Sequence, residues 1–308
     1  MGPALIEMVQ KKNSHTLILL DFKGKQLECA SSWGLGSGTL RYELSSQFGC
    51  LCDCNFCEYS YRYRGDCSVE EMDEQFLVLR ANTEKSFRDA SRIVISFCRM
   101  GEPTLNSNVP LFIEKIYKQL ISIKNKLVFE VATVLPEEGT AIMLRIREMA
   151  REKGIKVRPV ITLNSLDMKH RELVTGMEMP EIEKVAFLLR GWHSRPIVKF
   201  QPYETGLIVS WDVKKYLSDI AADFVWQRID KTMSSEAMNY KFASFRTSFD
   251  DHIKIVTRGM KRLGFKVEFL NEEFHGISYP SQLGPGKVFS LMCKDKLIRT
   301  LAHLKARK

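Results

Sequence analysis

The sequence predicts an α/β fold in which parallel strands alternate with amphipathic helices. Its 308 residues, 44% of them hydrophobic, are enough for one large domain or two small ones. Short apolar runs of strand length alternate with stretches of helical periodicity, and this alternation favours parallel strands joined by helical crossovers. The longest apolar runs are broken by charges, so we expect no transmembrane helix.

Six strand-helix units can be assigned along the chain. The expected strands are Leu40–Phe48, Arg92–Phe97, Val128–Val134, Val157–Leu163, Pro196–Gln201 and Phe224–Ile229. The expected helices between them include Pro110–Ile123, Glu137–Lys153, Glu181–Leu189 and Asp212–Ala221. A last helix and strand, Phe249–Leu263 and Phe265–Leu270, would close or flank the fold.

Two further segments have a distinct pattern. Residues His15–Glu28 are typical of a β-hairpin with Lys23-Gly24 at its turn. The loop Thr232–Ser248 lacks clear periodicity, and long loops at the carboxyl ends of parallel strands often form substrate sites or lids.

The net charge of +9 favours an anionic partner, either a phosphorylated small molecule or nucleic acid.

Four cysteines lie within eight residues, in the string GCLCDCNFCEY. Cys50, Cys54 and Cys57 have the spacing Cys-x3-Cys-x2-Cys. Three thiolates from one loop can hold a four-iron cluster and leave its fourth iron without a protein ligand. Cys54 and Cys57 also have a zinc spacing, but the remaining cysteines supply no second pair. A disulfide framework is less favoured, because no signal peptide is expected and the chain can build a core without staples.

The other cysteines have no assigned ligand role. Cys52 is either a bystander or a spare ligand, and the residues do not decide between the two. We expect Cys29, Cys67 and Cys293 to be buried or inert, as free cysteines usually are. Cys98 lies near the end of an expected strand and could act as a hydrogen donor or a ligand.

The cysteine loop is followed by the strand RIVISF and the string MGEPTLN, and this order resembles the radical S-adenosylmethionine (SAM) superfamily. The resemblance implies a [4Fe-4S] cluster on Cys50, Cys54 and Cys57. Its open iron would chelate SAM, whose reductive cleavage gives a 5′-deoxyadenosyl radical. It also implies an oxygen-sensitive cytoplasmic enzyme with a reducing partner such as flavodoxin or ferredoxin.

The same resemblance implies a partial (β/α)6 barrel. Its core would span residues 40–270, after a hairpin extension at 1–39 and before a C-terminal extension at 271–308. The residues that stand at the SAM-binding positions of the superfamily are Phe56, Gly101, Glu102, Thr133, Thr162, Leu163, Asn164 and Asp230. Phe56, Gly101 and Glu102 match the pattern of the superfamily, whereas the later residues differ in type from those usual there. Phe56 would pack near the adenine, and Gly101 with Glu102 would receive the methionyl amino group.

Within the superfamily, the strings SSQFGC and MGEPTLN and the segment FRTSFDDHIKIVTRGMKRLGFKV resemble the methyltransferases that modify an adenine of large-subunit ribosomal RNA. Both catalytic cysteines of that branch are replaced. Glu43 stands at the first position, and Pro280 or Ser281 stands at the second. We also expect this chain to lack the separate RNA-binding domain that precedes the barrel in that branch. We therefore expect a shared scaffold with changed chemistry.

The leading hypothesis is a radical SAM enzyme that acts on a small polar substrate of phosphorylated or nucleotide type. The catalytic candidates are Glu43, Cys98 and Tyr203, and other substrate-side candidates are Arg62, Arg64, Lys199, Arg228 and Asp230. The alternatives are an RNA-modifying enzyme that uses the strip YSYRYRG, a radical activator directed at a protein or peptide, and a non-catalytic iron-sulfur or zinc module. For any single charged candidate, a surface or salt-bridge role is the commoner one, since most charged residues are simply solvated.

Overall fold

The computed structural model describes residues 4–12, 14–34, 37–54, 57, 59 and 63–200. Farther along the chain it describes 217, 223–226, 258, 262 and 267–269. The expected loop at 232–248 lies outside the described residues. Of the two expected helices at 212–221 and 249–263, only positions 217, 258 and 262 are described, and all three are helical.

The strands form one mixed sheet of ten strands in chain order. They are β1 (Leu5–Lys12), β2 (His15–Asp21), β3 (Gln26–Gly34), β4 (Thr39–Leu44), β5 (Arg92–Phe97), β6 (Leu127–Thr133), β7 (Val157–Leu163), β8 (Ile197–Phe200), β9 (Asp223–Trp226) and β10 (Val267–Phe269). From β1 to β4 the pairing is antiparallel, and from β4 to β10 it is parallel. The described strands leave the sheet open between β1 and β10.

Five helices accompany the parallel part of the sheet within the described residues. They are α1 (Val69–Asn82), α2 (Asn108–Gln119), α3 (Thr140–Lys153), α4 (Met168–Thr175) and α5 (Ile182–Leu188). None of the described helices is long and apolar enough to cross a membrane.

Most of the expected strands are confirmed, and two of them, Arg92–Phe97 and Val157–Leu163, have identical bounds. The expected strand Leu40–Phe48 is wrong at its end, because β4 stops at Leu44. The next residue leaves the ladder, since the Ser45 N–H donates to Gln75 Oε1 at 2.9 Å. The chain thereby turns at Ser45 into the cysteine loop.

The N-terminal hairpin is confirmed but is longer than expected. Lys23 and Gly24 form its turn with positive φ angles of 56° and 83°. The additional strand β1 pairs with β2, and β3 pairs with β4 through Ala30 and Glu43. The first 39 residues therefore continue the same sheet.

The sheet has two different faces because side chains alternate along each strand. The helix-covered face, called here the outer face, carries Leu40, Tyr42 and Leu44 of β4, all buried in the main apolar core. Tyr42 packs edge-to-face on Phe76 of α1, with ring centroids 5.3 Å apart. The opposite face, called here the inner face, carries Arg41 and Glu43.

Candidate functional site

The cysteine loop and the MGEPTLN string meet at the carboxyl end of the parallel strands. The cysteine loop leaves β4, and MGEPTLN follows the neighbouring strand β5. Because adjacent parallel strands end at the same edge of a sheet, the two loops lie side by side.

Three of the four loop cysteines are buried together. Cys50, Cys52 and Cys54 are 8%, 2% and 6% exposed and form one packed group, and Cys57 is partly buried beside them. The Cys57 N–H donates to the Cys54 carbonyl at 3.0 Å, which makes a tight turn between these two. The apolar side chains that pack against the group include Leu105, Val134 and Met177.

Cys52 lies between two of the expected cluster ligands. Its side chain contacts both Cys50 and Cys54, and the contact with Cys52, followed by burial, raises the pKa of Cys50. The Glu102 carboxylate acts on Cys50, Cys52 and Cys54 and raises the pKa of each. The structure therefore brings the acid of MGEPTLN next to the thiols.

Among the described residues, no three His, Cys, Asp or Glu side chains are arranged to hold a single metal ion. Thiolates that each bind a different iron of a cubane need only lie around a common space.

Hydrogen bonds interlock the two loops. The Ser46 and Gln47 N–H groups donate to the Met100 carbonyl at 2.8 and 3.3 Å. Gln47 Oε1 accepts from the Glu102 N–H at 3.0 Å, and the Asn106 side-chain amide donates to the Ser46 carbonyl at 2.6 Å. Gln47 and Asn106 were not predicted to have a role, although both belong to the strings SSQFGC and MGEPTLN.

Gly101 makes this close approach possible. Its φ is +97°, a backbone conformation that residues other than glycine rarely adopt. A Cβ atom here would lie 2.6 to 2.7 Å from Gln47 Cβ, Cγ and N. The position thus requires glycine for contact with the cysteine loop.

The Glu102 carboxylate is buried and held in a fixed orientation. Oε1 accepts from the Thr104 N–H at 3.0 Å and from Thr104 Oγ1 at 2.7 Å, and Oε2 accepts from the Val134 N–H at 3.0 Å. Burial raises the pKa of Glu102, although hydrogen bonds from the Thr133 hydroxyl, from Thr104 and from the Val134 N–H oppose the shift.

The other expected SAM residues differ in their accessibility. The Thr133 hydroxyl accepts from the Leu135 N–H at 2.6 Å and lies 3.2 Å from Thr104 Oγ1, so it supports the Glu102 loop. Leu163 is fully buried in the main core. Thr162 faces the inner side in register with Lys199. Asn164 is 1% exposed, and its Oδ1 has no hydrogen-bond partner among the described residues.

Below this edge, the inner face holds a buried ion-pair network. Glu130 accepts from Arg41 at 2.5 Å and also forms an ion pair with Arg158. Burial alone would raise the pKa of Glu130, but the two guanidinium groups outweigh it and hold that pKa well below its usual range. Arg41, Glu130 and Arg158 were not predicted to have a role. The alternation of charged and apolar residues in TLRYEL is the sequence signal that could have identified the inner face.

The catalytic candidate Glu43 belongs to the same face. It is 1% exposed, and its Oε2 forms an ion pair with Arg99 Nη2 at 2.6 Å without the alignment of a hydrogen bond. Cys98 lies at the end of β5 nearby, where burial, reinforced by Glu43, raises the pKa of its thiol to about 11. Cys98 is therefore a protonated thiol at neutral pH.

Several expected site residues lie outside the described part of the chain: Phe56, Arg62, Tyr203, Arg228, Asp230, Pro280, Ser281 and Cys293. Arg64 is described and exposed, and its guanidinium donates to the Gly24 carbonyl at 3.4 Å on the hairpin.

Neither the family models nor the curated protein sequences match this chain. Among solved structures, Streptococcus suis SuiB bound to S-adenosylmethionine matches with a TM-score of 0.48 and 14% identity, over 80% of this chain and 54% of SuiB. TYW1 with a lysine-pyruvate adduct bound matches with a TM-score of 0.49 and 12% identity, over 79% of this chain and 85% of TYW1.

Native anSMEcpe with bound AdoMet gives a TM-score of 0.45 and 15% identity, over 74% of this chain and 63% of its own. All three are radical SAM enzymes. The chain spans about half the length of SuiB. At TM-scores below 0.5, this likeness carries no conclusion about what the chain does.

Proposed function

We propose that the chain is a radical SAM enzyme acting on a small polar substrate of phosphorylated or nucleotide type. The observation that carries the proposal is the position of Glu102, whose buried carboxylate lies beside Cys50, Cys52 and Cys54. Two strings about fifty residues apart in sequence are interlocked to produce this arrangement.

The residues at this edge fit a [4Fe-4S] cluster. Cys50, Cys54 and Cys57 would hold three irons, with Cys52 dispensable. A cluster held by these thiolates would supply the electron for reductive cleavage of SAM. The packed side chains Leu105, Val134 and Met177 exclude water from the thiols.

The residues also fit SAM. The buried Glu102 carboxylate suits the methionyl ammonium, because a charge-assisted bond is roughly twice as strong as a neutral one. Asn164 Oδ1 is a buried acceptor without a partner in the described part of the chain, which suits a hydroxyl donor of the ribose. Thr133 positions Glu102 through Thr104.

The parallel order of β4 to β9 supports a partial (β/α)6 barrel around the inner face. The charges on that face support a small polar substrate. The resemblance to the superfamily also supports a cytoplasmic location and a reducing partner such as flavodoxin or ferredoxin.

Anaerobic reconstitution tests the cluster. We expect about four irons per chain and SAM-dependent formation of 5′-deoxyadenosine. Alanine variants of Cys50, Cys54 and Cys57 should each lose the cluster, and Cys52→Ala is the matched control that should keep it. Stoichiometric zinc instead of iron, or loss of the cluster in Cys52→Ala, would contradict the assignment.

Calorimetry on Glu102→Ala tests the SAM site. The variant should keep the cluster and bind SAM more weakly by about 1.5–3 kcal/mol, because one charge-assisted hydrogen bond is lost. Glu114→Ala is the control, since Glu114 pairs with Lys118 and Lys153 at the surface. Unchanged SAM affinity in Glu102→Ala would show that the carboxylate only shapes its loop.

The methyl-cysteine route of the ribosomal RNA methyltransferases is not expected. Glu43 stands at the first thiol position, and its carboxylate is committed to Arg99. Peptide mass spectrometry after incubation with SAM and reductant should find no S-methylcysteine. Methyl on Cys293 together with a methylated RNA would instead support the RNA-modifying alternative.

A further inference from the structure

Glu28 is a buried acid that the N-terminal extension places beside the cysteine loop. It lies on β3, is 1% exposed, and precedes Ala30, the register partner of Glu43, by two residues. Side chains two residues apart on a strand point to the same face, so Glu28 belongs to the inner face. Glu28 was not predicted to have a role, since residues 1–39 were expected to lie outside the core.

The main chain of Glu28 contacts both loops of the candidate site. Its carbonyl accepts from Ser45 Oγ at 2.5 Å, at the start of the cysteine loop. Its N–H donates to Met100 Sδ at 3.3 Å, and the Met100 N–H donates in turn to Ser45 Oγ at 3.0 Å. Ser45 and Met100 are both buried, so these bonds are shielded from water. The place of Glu28 beside the two loops is thus fixed independently of its side chain.

The side chain of Glu28 binds Tyr59, which follows Cys57 by two residues. The Tyr59 hydroxyl donates to Glu28 Oε2. A hydrogen bond to a carboxylate is roughly twice as strong as a neutral one. The Tyr59 side chain is partly buried and packs against the three buried thiols of the cysteine loop. Glu28 therefore holds the hydroxyl end of a side chain that lies against the thiols.

Arg99 supplies the positive charge that a buried acid at this position needs. Its guanidinium forms an ion pair with Glu43 and interacts electrostatically with Glu28 and Tyr59. A buried carboxylate is strongly disfavoured unless it has a cation or hydrogen-bond donors nearby, and Glu28 has both. Apolar residues in place of such a network often stabilise a fold equally well. The stability of the sheet alone therefore does not account for an acid beside the cysteine loop.

We propose that Glu28 is a positioning residue for the iron-sulfur cluster, because it holds Tyr59 against the thiols and so keeps water away from them. This role rests on the proposed function, and it makes the N-terminal extension part of the same site. The solvent exposure of a cluster is one of the factors that set its reduction potential. Reduction adds negative charge, so the exclusion of water makes the potential more negative.

Thiol labelling of the cluster-free chain tests the contact directly. Tyr59→Phe removes the donor, and Glu28→Met removes the acceptor, so each variant should expose the loop cysteines. We expect their alkylation by iodoacetamide, followed by peptide mass spectrometry, to be at least about tenfold faster than in the wild type. Cys67, which is buried in the main core, is the internal reference. Its labelling should not change, whereas global destabilisation would accelerate both.

Matched variants separate this contact from the mere loss of a side chain. Tyr63→Phe is the control for the tyrosine, because Tyr63 donates to Asp66 Oδ1 at 3.1 Å at an exposed site. Glu7→Met is the control for the acid, because Glu7 is exposed on β1 of the same extension. Neither should change the labelling. Glu28→Gln keeps an acceptor for the phenol and should restore a rate close to that of the wild type. The double variant of Glu28→Met and Tyr59→Phe should label no faster than either single variant, because both remove one bond.

The reduction potential of the reconstituted cluster is the second measurement. In a spectroelectrochemical titration, Tyr59→Phe should shift the potential to a less negative value, because water admitted to the site stabilises the added negative charge. Tyr63→Phe should leave the potential unchanged. Since Tyr59→Phe removes only one hydroxyl group, it decides the test even where Glu28→Met does not fold.

Three outcomes would overturn the role of Glu28: wild-type labelling rates in Tyr59→Phe, an equal acceleration at Cys67, or an unchanged reduction potential. Each of them would leave the proposed function in place, since the wild type would still carry its cluster and cleave SAM. A wild type that takes up no iron would refute the proposed function and with it the role of Glu28 toward the cluster.

Discussion

The two faces of the same strands are built from opposite chemistry. On the outer face, Tyr42, Ile95 and Phe129 pack against helices, and their burial stabilises the fold. On the inner face, Arg41 and Glu130 are equally buried but charged. Replacing buried ion pairs with apolar groups is often neutral or stabilising. Burial on the outer face therefore accounts for the stability of the sheet. The buried charges on the inner face indicate that the function of the protein requires charged groups there.

The largest expected effect is on the inner face. Glu130→Gln removes the charge shared by Arg41 and Arg158 and leaves two buried cations without a counter-ion. We expect the free energy of unfolding to fall by about 3–5 kcal/mol in urea denaturation at pH 7.

The triple variant Arg41→Met, Glu130→Leu, Arg158→Met is the control. It removes all three charges together and should be close to the wild type in stability, because no cation is left unpaired. A loss as large as that of Glu130→Gln would show that the inner network stabilises the fold, and the contrast between the faces would disappear.

The effect of Glu130→Gln should depend on pH. The arginines hold the pKa of Glu130 below its unfolded value of about 4.3, so the carboxylate stabilises the fold fully above that pH. Stability is lost as the pH falls toward the folded pKa. The difference between wild type and variant should be constant from pH 7 to about 5 and narrow below about 4.3. A constant gap down to pH 3 would contradict this account.

A smaller effect is expected where both faces end, at the edge that carries the cysteines. Gly101→Ala should destabilise the fold by about 1–3 kcal/mol and reduce iron incorporation, because the new Cβ meets Gln47. Gly154→Ala is the control, since its φ is also positive, at 64°, but nothing lies within 4 Å of a new Cβ. Equal iron content in the two variants would show that the approach of Gly101 to Gln47 is unimportant.

The smallest effect is expected for a conservative change on the outer face. Ile95→Val removes one methylene from the apolar core and should cost about 0.5–1.5 kcal/mol at every pH. Glu130→Gln is just as conservative in size. If Ile95→Val and Glu130→Gln were equally destabilised, side-chain volume rather than charge would determine how well each face tolerates substitution.

Much of the sheet could be predicted because its strands are local patterns. RIVISF and VRPVITL are apolar enough to be identified alone, and their bounds are confirmed. Helix α1 was missed, although Ser68 and Glu71 form a capping box that is visible as Ser-x-x-Glu. Acidic residues interrupt the apolar pattern of this helix, and the prediction was missed because it relied on apolar periodicity.

The residue types of the candidate site could be predicted from the sequence, but the contacts between residues of different strands could not. The cysteines and Glu102 were singled out from their strings, and the structure brings them together. No local pattern shows that Glu130 joins Arg41 and Arg158, because the pairing depends on register between strands 89 and 28 residues apart.

The hydrogen bonds between Gln47 and Glu102 and between Asn106 and Ser46 have a consequence for protein engineering. The two loops form a single structural unit, although helix α1 and strand β5 separate them in sequence. A chimera that imports only the cysteine loop from another protein would lose the amide and carbonyl partners that shape it. A transplant should therefore carry residues 45–57 and 100–106 together, as one discontinuous cassette.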